Sequence, residues 1–176
     1  LDCLDLKQAA VAGHYMGGYV ALAFARHFPE RVRGLGLVST QAAADPQDRK
    51  EGRYKTAEEV AANGVGGVAD GMSGKLSADP ELQKYARQLI NQQSVLGVTG
   101  ALKAMAERPD SAQFLKSFQL PVVIVHGEAD ALIPADRARD VQAIVSHAKL
   151  VLLPGVGHLP ILEAPEQTAE ALKGLG

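Results

Sequence analysis

Gln8-Ala9-Ala10-Val11-Ala12-Gly13-His14-Tyr15-Met16-Gly17-Gly18 is the stretch on which the fold of this chain turns. Its apolar first half reads as a short buried strand. Beyond the glycines, Tyr19-Val20-Ala21-Leu22-Ala23-Phe24-Ala25-Arg26 reads as a helix, extending from roughly Met16 to His27. Glycines two before and two after a central residue, on a strand that turns straight into a helix, match the G-x-S-x-G pattern. In that pattern the central side chain stands on a strained turn above the sheet, where a nucleophile is needed. Here the central residue is Tyr15.

Strand and helix alternate outward from this turn. Pro29 ends the first helix, and Gly34-Leu35-Gly36-Leu37-Val38-Ser39 reads as a second strand. Leu120-Pro121-Val122-Val123-Ile124-Val125-His126 reads as a third and Lys149-Leu150-Val151-Leu152-Leu153 as a fourth. Helices are expected over 134–147 and 164–175, the last begun by Pro165. Near-continuous apolar runs are the mark of strands covered on both faces. The expectation is an α/β fold of about four parallel strands flanked by helices. Residues 1–176 then form a single domain, with a helical lid or cap insertion over 41–117.

Within that insertion, helical spacing is found near 56–63, 80–92 and 98–107. Glycines at 64, 66, 67, 71 and 74 read as mobile joints between the helices. Gly66-Gly67-Val68-Ala69-Asp70-Gly71-Met72-Ser73-Gly74-Lys75-Leu76 fails as a phosphate loop. Ala69 stands where the first glycine is required, and Leu76 where Ser or Thr is required.

Composition closes off several function classes. A net charge of -2 gives no attraction to nucleic acid or to an anionic membrane. Cys3 is the only cysteine, so an internally disulfide-stapled secreted fold is ruled out and the cytoplasm is the expected location. No apolar run approaches the roughly 18 residues of a membrane span. No Cys/His cluster has metal-ligand spacing, so neither a metal nor another cofactor is expected.

Three residues fall just beyond the carboxyl ends of strands, where catalytic groups gather in such sheets. They are Tyr15 after the first strand, Asp130 after the third and His158 after the fourth. Acyl transfer needs a nucleophile, a base in hydrogen-bond reach and an acid that orients the base, and these three come in that order. Asp136 is the poorer acid, because it falls inside the next helix. His14 reads as a hydrogen-bonding residue beside the turn and a candidate substrate contact. His126 is expected to pack under the acid loop. Glu163 reads as an ion-pair or capping residue, and Met16 as core or as the wall of an acyl pocket.

The words around these residues carry a family resemblance. His126-Gly127-Glu128-Ala129-Asp130-Ala131-Leu132-Ile133-Pro134 resembles the acid loop of the α/β-hydrolases. Pro154-Gly155-Val156-Gly157-His158-Leu159-Pro160 resembles their histidine loop, and the turn around Tyr15 their nucleophile elbow. The resemblance covers essentially the whole chain and points to the small esterase, enol-lactonase and perhydrolase-like branch. It implies hydrolysis of small carboxylic esters by a triad frame of Tyr15, Asp130 and His158. The backbone N–H of Met16 would be one oxyanion-hole donor, helped by the positive end of its helix.

Two departures from the family pattern shape the expected activity. The tyrosine at position 15 carries its hydroxyl several ångströms farther from the backbone than a serine would, which points to weak or lost turnover. Family members also carry about four strands before the nucleophile strand, so the chain reads as N-terminally truncated. That leaves the strand near Ala9 to Ala12 as a sheet edge, with a homodimer through this edge as the expected partner state. A non-catalytic binding or self-associating module is the alternative function.

Overall fold

The computed structural model describes residues 1–175. It divides into two compact units: one formed by Leu1–Ala42 and the chain from Ser111 onward, the other by Ala43–Asp110.

The first unit is built on a four-stranded parallel sheet in the order β1 (Ala9–His14), β2 (Val32–Val38), β3 (Val122–Gly127), β4 (Lys149–Leu153). The period-two alternation of side chains explains why these runs are apolar throughout. Leu35, Leu37, Val122 and Ile124 point to one face, where helices α1 (Met16–His27) and, later in the chain, one over Asp136–Ile144 lay down Ala21, Leu22, Ala25, Ala138 and Val141. Val38, Val123, Val125 and Leu153 point to the other face, against Ala164, Ala171 and Leu175 near the end of the chain. Gly36 serves that second face: a Cβ there would meet the Cβ of Ala12 at 2.6 Å and the side chains of Leu172 and Leu175 at 3.1 Å. The strand therefore alternates leucine with glycine because one face accepts bulk and the other accepts a closely seated C-terminal segment.

The second unit is helical: α2 (Gln47–Asn63), α3 (Gly66–Leu76), α4 (Pro80–Asn91) and α5 (Val95–Glu107), with α2 packed on α5 and α3 on α4. Asp79 and Ser94 cap α4 and α5 by accepting from Glu81 N–H and Gly97 N–H. Asp45, its side chain fully buried, is bridged by Arg53 and by Arg108, the latter at 2.8 Å. Burial alone would raise its pKa, but the bonds and charges of the two arginines outweigh that and hold it below the ordinary carboxylate value. One expectation is corrected here. Gly66–Leu76, read as a mobile joint, is helical throughout as α3. Ala69, Ser73 and Leu76 recur at helical spacing and are buried, and that packing outweighs the poor helix propensity of the glycines.

The first unit is completed by α6 (Ala112–Lys116), α7 (Asp136–Ile144), α8 (Pro160–Glu163) and α9 (Pro165–Leu172).

Candidate active site

Tyr15 stands between the last residue of β1 and the first of α1, with φ 50° and ψ −113°. A bulky residue held in the left-handed region costs on the order of 1–3 kcal/mol, so the turn must be fixed by its surroundings. Its N–H donates to the Val38 carbonyl at 2.9 Å, and its carbonyl accepts from Thr40 Oγ1 at 2.8 Å and Gly18 N–H at 3.0 Å. The flanking glycines let the backbone close. A Cβ on Gly13 would collide with the backbone of Gly17 and Gly18, and one on Gly18 would lie 2.6 Å from Thr40 side-chain atoms. Met16 opens α1, so its N–H has no carbonyl four residues back within the helix and belongs to the positive end of the helix.

Asp130 and His158, the expected acid and base, come from the loops after β3 and β4. Gly127 ends β3, and a Cβ there would overlap the carbonyls of Val156 and Gly157; only glycine lets the histidine loop cross the acid loop this closely. The crossing brings Asp130 and His158 together, with His158 Nδ1–H donating to Asp130 Oδ2 at 2.7 Å and both side chains fully buried. Asp130 Oδ1 accepts from Leu132 N–H and Ile133 N–H, each at 2.9 Å. Burial pushes the Asp130 pKa up, but bonds from His126 and His158, the His158 charge and the Ile133 N–H overcome it. The carboxyl is held well below its usual range.

With Nδ1–H given to the carboxylate, Nε2 of His158 is the proton-accepting nitrogen. It is buried and has no hydrogen-bond partner among the described residues. The Tyr15 ring meets the His158 ring edge to face, centroids 4.9 Å apart at 80°. The phenol hydroxyl is therefore not bonded to the base. In a serine-type site that bond activates the nucleophile.

Two residues hold the histidine loop in ways the sequence did not reveal. His14, expected as a hydrogen-bonding residue beside the turn and a candidate substrate contact, donates its Nε2–H to the His158 carbonyl at 2.6 Å, with its ring 5.0 Å from that of His158. Burial lowers the His14 pKa and outweighs the opposing bond to that carbonyl. Glu163 accepts from Gly157 N–H at 2.9 Å and Leu159 N–H at 3.0 Å, clamping the backbone on either side of His158. Its place five residues after His158 gave no signal, because the same spacing suits an ion pair or a cap. Asp136 lies in α7, where it meets Arg139. The groove lined by Asp2, Asp5, Lys7, Glu30 and Arg31 lies before the amino ends of β1 and β2, away from these groups. Among the described residues no group of three or more His, Cys, Asp or Glu side chains could hold a metal ion, and no helix is long and apolar enough to cross a membrane.

A parallel sheet with helices on both faces, a sharp strand-to-helix turn and loops gathered at the strands' carboxyl ends defines a class of α/β protein built around nucleophile-elbow chemistry. The chain belongs to the α/β-hydrolase fold family, whose sequence profile matches residues 1–165. A thermophilic esterase from Thermogutta terrifontis, solved with malate bound, superposes with a TM-score of 0.93 at 35% identity, covering 98% of this chain and 66% of that one. The dihydrolipoyllysine-residue acetyltransferase component of the acetoin cleaving system of Pseudomonas putida is 33% identical over 98% of this chain and 46% of its own length. The 3-oxoadipate enol-lactonase 2 of Acinetobacter baylyi is 24% identical over 99% of this chain and 66% of its own. The chain spans about half the length of the first of these curated relatives and about two thirds of the other.

Proposed function

We propose that this chain carries the acid–base half of an ester-hydrolase site, with Tyr15 in the nucleophile position, and turns over small carboxylic esters slowly. The observation that carries this reading is the buried Asp130–His158 pair with Nε2 of His158 unpartnered. A histidine whose Nδ1–H is fixed by a carboxylate presents Nε2 as a general base. Since the Tyr15 hydroxyl is not bonded to it, water is the nucleophile that this base serves, reaching the buried Nε2 once the Tyr15 ring swings off the imidazole.

In the proposed step, Nε2 takes a proton from water as the water oxygen bonds to the ester carbonyl carbon. The resulting oxyanion faces the N–H of Met16, and Asp130 stabilises the imidazolium. Collapse expels the alkoxide, which recovers the proton from Nε2, and a carboxylic acid and an alcohol leave. Esterase and enol-lactonase relatives support ester-like carbonyl substrates. The test is hydrolysis of a short p-nitrophenyl ester by the folded protein and by His158→Ala. Turnover above buffer that is lost in the variant is the expected result; equal rates in both would overturn the reading.

A second reading, self-association, is favoured by one observation: among the described residues β1 pairs only with β2 and so forms a sheet edge. We propose a homodimer through Ala9–Ala12. Sedimentation across micromolar concentrations tests it, and a monomer throughout would remove it.

A further inference from the structure

Asp130 Oδ2 has two imidazoles on it. His158 Nδ1 lies at 2.7 Å and His126 Nε2 at 3.2 Å. His126 Nε2 also lies 2.8 Å from the Ile133 carbonyl oxygen, which can only accept. Nε2 of His126 therefore carries the hydrogen, shared between Ile133 O and Asp130 Oδ2. The other nitrogen, Nδ1, is buried with no partner among the described residues, as befits a bare lone pair. A hydrogen there would be an unmet buried donor, which proteins rarely leave.

We propose that His126 is a positioning residue for the acid–base pair, holding Oδ2 of Asp130 in line with His158 by donating to it while the backbone N–H groups hold Oδ1. The inference rests on the reading of Asp130 and His158 as an acid–base pair. Its physical content is rotational. Oδ1 is pinned by Leu132 N–H and Ile133 N–H, so the carboxylate retains one freedom, a swing of Oδ2 about that anchored oxygen. His126 removes that freedom. It is itself fully buried at the penultimate position of an inner strand, with its Cα in register with Leu152. The same N–H holds Ile133 O, so one imidazole closes the Asp130–Ile133 turn at both ends.

The test is ring-15N NMR on the whole chain, with His158 assigned through His158→Ala. The wild type should show His126 as the Nε2–H tautomer and a slowly exchanging His158 Nδ1–H. In His126→Leu that proton should exchange about tenfold faster, as the carboxylate swings, with a matching loss of kcat and little change in KM. His126→Gln keeps an N–H at the reach of Nε2 and should recover most of the protection, which mere filling of space by leucine would not. An Nδ1–H tautomer in the wild type, or unchanged exchange in a folded His126→Leu, would overturn the proposal. Should His126→Leu not fold, the wild-type tautomer and the His126→Gln exchange rate decide the matter. Absence of ester turnover with the His158 signal intact would sink the hydrolase reading alone.

Discussion

His158 faces Tyr15 ring edge to ring face, 4.9 Å between centroids, while its Nε2 is buried and has no partner among the described residues. The proposed base is in place and the group at the elbow does not engage it.

That relationship predicts the outcome of Tyr15→Ser. A serine at φ 50° places its hydroxyl close to the backbone, near Met16 N–H, where one carbonyl can meet both. Hydrolysis of a short p-nitrophenyl ester should rise by about 100-fold or more. A fluorophosphonate probe should add its mass to Tyr15→Ser and leave the wild-type chain unlabelled. Labelling of the wild type at Tyr15 would show that the phenol is activated after all.

Asp130→Asn should separate orientation from charge. In a Tyr15→Ser background it removes the carboxylate that fixes Nδ1–H, so the ester rate should fall by about 10³-fold. Because the asparagine leaves part of a buried network unmatched, unfolding in urea should also show a loss of about 1–3 kcal/mol. An unchanged rate would mean that some other group orients His158.

Much of this was legible in the sequence, and the reasons are local. The strand-to-helix turn at Gly13–Gly18 and the loops at 126–134 and 154–160 are fixed by glycine and proline at set spacings, and they lie where expected in the fold. Four parallel strands followed from apolar runs whose alternate residues feed two cores. Helix α3 was not legible, because its glycines argue against a helix and only the seating of Ala69, Ser73 and Leu76 decides for one. Nor could the sequence show that His126 shares Oδ2 or that Glu163 clamps Gly157 and Leu159. The first depends on two loops crossing at Gly127, a contact between segments about thirty residues apart. The second depends on which local donors the Glu163 carboxylate turns to, which a spacing of four and six residues does not decide.

Acid should destabilise the fold in two stages. His14 has its pKa lowered by burial, so the unfolded chain takes up a proton near its ordinary value of about 6.5 while the folded one does not. Stability therefore falls as the pH drops below that value, until the folded imidazole protonates too. Asp130, held ionised in the fold, contributes stability above the unfolded carboxylate value of about 3.9 and loses it as the pH falls through its lower folded value. Urea midpoints measured from neutral to acid pH should show both declines. His14→Gln, which keeps a donor for the His158 carbonyl but cannot titrate, should flatten only the first; an unaltered slope would refute that assignment.

Glu163→Gln tests the clamp on the histidine loop. The carboxylate offers one oxygen to Gly157 N–H and the other to Leu159 N–H. An amide has one oxygen and turns its NH2 toward the second donor, so one backbone bond is replaced by an opposed pair of donors. The expected cost is about 1–2 kcal/mol in urea unfolding, together with faster exchange of His158 Nδ1–H. A variant as stable as the parent would show that water takes over the clamp.

The two glycines of the elbow motif should behave differently when each is replaced by alanine. A Cβ on Gly13 overlaps the Gly17 carbonyl and Gly18 N, which are backbone atoms of the tight turn and cannot rotate away. Relief would require Tyr15 to leave its φ of 50° or α1 to move off the end of β1, and the Val38, Thr40 and Gly18 bonds to Tyr15 oppose both. Gly13→Ala should therefore lose about 3 kcal/mol or more and the site geometry with it. Gly17 has nothing within 4 Å of its Cβ position and lies in the first turn of α1, where alanine is at least as favourable. Gly17→Ala should stay within about 0.5 kcal/mol of the parent in urea unfolding. Equal losses in the two variants would mean that the turn is set by chain flexibility at both glycines, and not by the close approach of Gly13 to the helix.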